Sequence, residues 1–223
     1  MSVRKNYLIK STFFAVAFSI GSLLITQAAT AADAAKTINP NFNYMHDGKV
    51  VSGWGIQLGD PENWATPVDE SRKAKSASGK VSITPVDRVD KNDALQISWS
   101  PRKAIKGVFS IYGAAIDLSK FENEGALVFD MKMDMKPDKD VTIGMDCGYP
   151  CRSEMHVGKI LKDLKKDEWT TLPIPLNCFT KEGLDIKKVN GPVVIGTDGK
   201  LGITIANVRL EKLPEGEKGC LKP

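Results

Sequence analysis

The residues best suited to chemistry cluster at Asp146-Cys147-Gly148-Tyr149-Pro150-Cys151-Arg152, with Glu154 close behind. Two cysteines at this spacing can close a small disulfide loop, which would hold Tyr149 rigidly. A pre-ordered aromatic loses less entropy when it grips a ligand. Asp146, Arg152 and Glu154 flank it with groups that hydrogen-bond hydroxyls. An aromatic face for the C–H side of a pyranose, beside polar groups for its hydroxyls, is the chemistry of sugar recognition. Trp64, between Pro61 and Pro67, is expected to be an exposed loop residue. Trp54 opens a predicted strand, where core packing competes with ligand contact. Trp99 shares a face with Leu95 and Ile97 and is expected in the core. Trp169 begins a strand and is expected to pack at the interior or its rim. The candidate carbohydrate-binding set is therefore Trp64, Tyr149, Trp54, Asp146, Arg152 and Glu154.

Bond cleavage is less well provided for. Glycoside hydrolysis needs two carboxylates roughly 5–10 Å apart. The nearest candidate is Asp130-Met131-Lys132-Met133-Asp134. Strand alternation puts Asp130, Lys132 and Asp134 on one face, and the lysine between the acids marks that face as solvated. No Gly-x-Ser-x-Gly elbow occurs, and His46 and His156 have no Ser or Cys partner in any recognisable pattern. Asp138 with Asp140, or Asp60 with Glu62, offers oxygens to calcium, but no spacing is diagnostic. The expectation is a non-enzyme with no metal and no cofactor.

The four cysteines are Cys147, Cys151, Cys178 and Cys220. An even count in an exported chain reads as disulfides, and four cysteines allow three pairings. Zinc would want finger-like Cys/His spacing, and a redox site would want Cys-x-x-Cys; neither is present. The favoured pairing is Cys147–Cys151, which brackets a Gly-Tyr-Pro turn, with Cys178–Cys220, which ties down the tail. Loop entropy gives the second about 4 kcal/mol and the first roughly 2.

Export is indicated at the N-terminus. Arg4, Lys5 and Lys10 precede an apolar run from Phe13 to Ile25, followed by Ala28-Ala29-Thr30-Ala31-Ala32. This is the order of a secretory signal peptide, with cleavage expected after Ala31. The run is shorter than the ~20 residues of a membrane span. Removing residues 1–31 leaves 223 − 31 = 192 residues and a net charge of +4 − 3 = +1. No basic stripe remains for nucleic acid, and no polybasic patch for a membrane. A periplasmic or secreted location follows. Residues 32–48 read as a flexible arm, and 49–223 as the folded domain.

Period-2 alternation dominates that domain. It is clear in Leu95-Gln96-Ile97-Ser98-Trp99, in Leu127–Met135 and in the closing run Leu201–Leu213. Further strands are predicted at 49–58, 81–83, 108–112, 141–145, 169–176 and 193–195. Residues 59–79 read as a long loop. Residues 156–166 have a helical look, and 179–189 a helical turn. Many short strands with one or two short helices predict an all-β sandwich, a jelly roll in its commonest form.

Several segments carry a resemblance. They are Asp93–Trp99, Ile116-Asp117-Leu118, Met145–Cys151, Glu168–Phe179, Thr197–Leu201 and Ala206–Leu210. In order and spacing they resemble the ExoP galactose-binding-like domain, the C-terminal module of certain bacterial family 3 glycoside hydrolases of the exo-β-glucan glucohydrolase type. Trp54–Leu58 resembles an early strand of that module more weakly. Cys220 resembles a cysteine near the end of such enzymes, which supports the Cys178–Cys220 pairing. The resemblance implies a jelly-roll galactose-binding-like sandwich associated with glucan degradation. It carries over no catalytic acid, because those belong to a (β/α)₈ barrel and a second α/β domain that precede the module in such enzymes. The expected function is non-catalytic recognition of β-glucan or a related glycan. The alternatives are a structural or protein-interaction module, docking on a glycan-degrading enzyme or envelope protein, and a small glycoside hydrolase.

Overall fold

Where apolar and polar residues alternate, one face of a strand must be buried, and two such sheets bury each other. The computed structural model describes residues 39, 41–180 and 183–220. The expected signal, its cleavage after Ala31 and most of the arm lie outside the described residues. The strands run in the order β1 (Asn43–His46), β2 (Lys49–Val50), β3 (Trp54–Asp60), β4 (Asn63–Pro67), β5 (Ala74–Lys75), β6 (Val81–Val86) and β7 (Ala94–Trp99). Then come β8 (Gly107–Gly113), β9 (Gly125–Met135), β10 (Thr142–Asp146) and β11 (Arg152–His156). Helix α1 (Gly158–Asp163), β12 (Trp169–Pro175), helix α2 (Asn177–Thr180), β13 (Gly191–Thr197) and β14 (Leu201–Lys212) complete the chain.

One sheet has the order β12-β9-β14-β7-β6-β5, with β1 beside β14 and β2 beside β1; the other has the order β11-β10-β13-β8-β3-β4. The strands pair antiparallel throughout both sheets. The expected all-β sandwich is present. Leu95, Ile97, Met131, Met133, Ile203 and Ile205 from the first sheet meet Ile56, Leu58, Phe109, Ile111, Ile143 and Ile195 from the second. Each such side chain contributes roughly 1.5–3 kcal/mol on burial. Trp99 lies among them, 1% exposed, and its indole N–H donates to the Gly107 carbonyl at 2.9 Å.

Both disulfides form in the expected pairing. Asn177 reinforces the tail staple: its Nδ2 donates to the Lys218 carbonyl at 3.0 Å, and its Oδ1 accepts from the Cys220 N–H at 3.0 Å.

Three expectations need correction. The arm ends earlier than residue 48, because β1 pairs with β14 and buries Tyr44 and Met45. Residues 59–79 are not one loop: β4 pairs with β3, and β5 pairs with β6. The helical segment is only Gly158–Asp163, and His156 belongs to β11, which borders β10.

Buried charges fasten the loops at one end of the sandwich. Lys80 is fully buried, and its Nζ donates to the carbonyls of Ser100 (2.9 Å), Lys103 (2.7 Å), Asp198 (3.0 Å) and Gly199 (2.8 Å). Burial pushes this ammonium below its usual range, against the opposing pull of Asp198 and Asp138. The stem needs Gly107 beside it, where a Cβ would stand 2.5 Å from Lys80 Cγ. Asp60, also fully buried, accepts from the Glu62 N–H (3.0 Å), the Ser78 N–H (2.8 Å) and the Ser78 hydroxyl (2.7 Å). These donors occupy the oxygens that a calcium ion would require.

Candidate functional site

The outer face of the second sheet is built from small residues. Along β3 the core-facing residues are Trp54, Ile56 and Leu58, so Gly55, Gln57 and Gly59 face outward. On β8 the inward Phe109 and Ile111 leave Val108, Ser110 and Tyr112 outward. Register then sets Gly55 opposite Tyr112 and Gln57 opposite Ser110. A Cβ on Gly55 would lie 3.0 Å from Tyr112 Cζ, so the phenol rests on the bare glycine. That contact lays the ring across the sheet, and Tyr112 remains 39% exposed.

Facing it across β13 is the Cys147–Cys151 turn. The Cys147 N–H donates to the Cys151 carbonyl at 2.9 Å, and the Asp185 N–H lies against both sulfurs at 3.3 and 3.4 Å. Tyr149, at the tip, is completely exposed. Between the two tyrosines is a groove of about 210 Å³, lined by Gln57, Ser110, Tyr112, Asp146, Tyr149 and Asn190. That is below the roughly 300–1,000 Å³ typical of pockets for drug-sized ligands.

Asp146 is held from the side by Arg152, whose Nη2 and Nε donate to it at 2.8 and 2.5 Å. Asp146 in turn pushes the guanidinium above its usual range. Glu154 sits next on the same face, paired with Lys106 at 3.1 Å and Arg152 at 3.5 Å. Burial pushes its carboxyl up, but these two cations together hold it below the usual carboxylate range.

The six residues proposed from sequence thus divide. Tyr149 and Asp146 line the groove, and Arg152 and Glu154 stand beside it. Trp64 is 55% exposed on the edge strand β4 and is not among the groove residues. Trp54 is corrected to the core: it is 9% exposed, and its ring meets Tyr44 edge-on at 5.1 Å. Tyr112, Gln57, Ser110 and Asn190 were not singled out. The alternation Val108/Ser110/Tyr112 against Phe109/Ile111 carries the signal for Tyr112.

A larger concavity of about 640 Å³ lies between β2, the start of β3 and residues 68–72. Its aromatic contribution is Trp54, which is only 9% exposed and so offers little surface to a ligand. The Asp130 trio, on the outer face of the first sheet, is consumed by its neighbours. Asp130 accepts from Thr171 (2.9 Å), Asn207 (2.9 Å) and Arg209 (2.6 Å). Burial pushes its carboxyl up, and these hydrogen bonds outweigh that and hold it below the usual range. Such a group stays ionised at neutral pH and cannot act as a general acid.

The comparisons agree with this architecture. The extra C-terminal domain of the exo-1,3/1,4-β-glucanase ExoP from a Pseudoalteromonas species superposes with a TM-score of 0.62, at 18% identity, over 81% of this chain and 99% of that domain. The whole ExoP enzyme matches with a TM-score of 0.64 at 17% identity, over 80% of this chain but only 21% of its own. A family 30 carbohydrate-binding module of a cellulosomal cellulase from Clostridium thermocellum gives a TM-score of 0.56 at 14% identity, covering 79% of this chain and 98% of the module. No curated protein sequence matches. The Exop_C family model, described as galactose-binding domain-like, matches residues 52–210, and the chain belongs to that family.

Proposed function

We propose that this protein is a non-catalytic module that recognises a β-glucan or a related glycan through the Tyr112–Tyr149 groove. The observation that carries the reading is the pairing of two tyrosines, one resting on Gly55 and one carried at the tip of a disulfide-closed turn, across a floor of amide and hydroxyl groups. The groove's one carboxylate, Asp146, is committed to Arg152, whereas hydrolysis needs two acids on opposite sides of the bond. The signal-like N-terminus and the two disulfides support action in the periplasm or outside the cell. The test is calorimetric titration with a panel of soluble β-glucans. Binding should weaken about tenfold in Tyr112→Ala and in Tyr149→Ala, the loss of one anchoring contact. Flat isotherms across the panel would reject the reading.

A second reading, docking on a glycan-degrading enzyme or envelope protein, is favoured by Trp64, an exposed aromatic away from the groove. Trp64→Ala tests it by loss of co-purification with such a partner while glucan binding is kept.

A further inference from the structure

The groove occupies only part of the outer face on which it lies. Two rows of outward residues cross the second sheet beside it. One is Glu154–Gly144–Val194–Ser110–Gln57, and the next is His156–Thr142–Gly196–Val108–Gly59. Ser110 and Gln57 line the open groove. Further along the same row the floor continues as Val194 and Gly144, but it is covered. Val194 faces away from the core, since Val193 and Ile195 are the core residues of β13, yet it is only 1% exposed.

Two side chains lie over this continuation and the neighbouring row. Lys106 enters just before β8, and a Cβ on Gly196 would stand 3.0 Å from its Cε. Its ammonium reaches Glu154 at 3.1 and 3.3 Å. Glu154 lies over Gly144, where a Cβ would be 3.0 Å from its Cγ and closer still to the Ser153 carbonyl oxygen. Lys106 and Glu154 therefore form a bar across a trough whose floor is Gly144, Val194 and Gly196. The Lys106 end of the bar is weakly fastened, because its side chain is 41% exposed and an ion pair in such a setting is screened by salt, whereas Glu154, 22% exposed, is also paired with Arg152.

We propose that the Lys106–Glu154 bar sets the length of sugar chain this face accepts. In place, it confines the ligand to the groove between the tyrosines; swung aside, it opens a continuous trough for a longer linear oligosaccharide. The preferred chain is neutral, because Lys106 with Glu154 and Arg152 with Asp146 leave no net charge along the trough. The inference rests on the carbohydrate reading above.

The test is titration of wild type and Lys106→Ala with a β-glucan disaccharide and hexasaccharide, at about 0.02 M and about 0.5 M sodium chloride. The disaccharide affinity should be the same in both proteins and both salts. The hexasaccharide should bind Lys106→Ala more tightly than wild type by about two- to fivefold, the fold-change equivalent to a partly exposed ion pair. In wild type its affinity should rise with salt, opposite to a charge-driven contact, and in the variant it should not. Glu154→Gln should repeat the hexasaccharide gain by removing the attraction while keeping the side chain's size. A weaker hexasaccharide affinity in Lys106→Ala would overturn the inference, since Lys106 would then be a sugar contact. So would an equal effect on both lengths. Length-blind binding that is lost in Tyr112→Ala keeps the carbohydrate reading and sinks only this one. No binding by either protein sinks both.

Discussion

Asp60 offers a test of how the end of the sandwich that carries Trp64 is held. Its carboxylate sits without solvent contact at the end of β3 and ties the β3–β4 hairpin to the turn at Ser78. Burial pushes the carboxyl up, but hydrogen bonds from Ser76, Ser78 and Glu62 outweigh it and bring the value to about 2, against an ordinary 3.8. A group whose folded value is depressed stabilises the fold fully above its unfolded value and loses that contribution as pH falls through the folded one. The window is therefore pH 4 down to pH 2. A displacement of nearly two pH units, at 1.36 kcal/mol each, corresponds to about 2 kcal/mol. Asp60→Asn keeps the shape, removes the charge and aims an NH₂ at groups that are themselves donors. For a domain of this size that loss lowers Tm by about 4–8 °C near neutral pH. Asp93 is also depressed to about 2, burial being outweighed by the N–H groups of Asp90, Val89 and Arg88, so the wild-type acid profile alone mixes two groups. The informative quantity is the difference in Tm between wild type and Asp60→Asn, measured by circular dichroism from pH 7 to pH 2. It should be constant above pH 4 and shrink steadily below it. An Asp60→Asn protein as stable as wild type at pH 7, or a gap that persists unchanged to pH 2, would refute the reasoning.

Three further outcomes are expected. Lys80→Met leaves buried carbonyls without their donor and should cost about 2–4 kcal/mol in urea unfolding, since each unsatisfied buried acceptor costs about 1–3 kcal/mol. Gly55→Ala places a methyl 3.0 Å from the Tyr112 ring; it should weaken glucan binding severalfold while shifting Tm by less than about 3 °C, because a part-exposed ring can yield. Replacing both Cys178 and Cys220 with Ser opens the 42-residue loop and should cost up to about 4 kcal/mol by chain entropy, read from the denaturant midpoint.

How much was legible in the chain depended on whether a signal was local. The strands around Leu95, Ile97 and Trp99, or from Leu127 to Met133, announce themselves, because each buries one face against a full sheet. The Cys147–Cys151 loop is equally local. Trp54 was readable too: it falls in phase with Ile56 and Leu58, so the parity that buries those two also buries the tryptophan. Strands β1, β4, β5 and β11 were not legible, since they are short or at an edge and rich in polar residues or proline. Ala74 and Lys75 become strand only because Ile83 and Ser82 present a ladder to them. Tyr112 gains its meaning from Gly55, and Lys80 from carbonyls up to 119 residues away. No window along the chain contains both partners.

The two outer faces of the sandwich differ in a way that explains why the proposed groove lies on one of them. On the first sheet, outward residues are long and charged, and they complete one another. Arg209 and Asn207 serve Asp130, and Lys132 and Thr204 serve Asp134. A ligand there would have to displace hydrogen bonds already made, each with a desolvated partner left behind. On the second sheet, Gly55, Gly59, Gly144 and Gly196 stand where such side chains would be. Glycine in a strand interior costs stability through backbone entropy and lost packing. A sheet that carries four of them on one face has given up packing there. That space is taken up by Tyr112 over Gly55, the Trp64 carbonyl over Gly59, the Ser153 carbonyl and Glu154 over Gly144, and Lys106 over Gly196. Beside them the groove between Tyr112 and Tyr149 stays open, with the Gln57 and Asn190 amides along it, while the Ser110 hydroxyl turns to the Gln57 carbonyl at 3.5 Å and Asp146 is paired with Arg152.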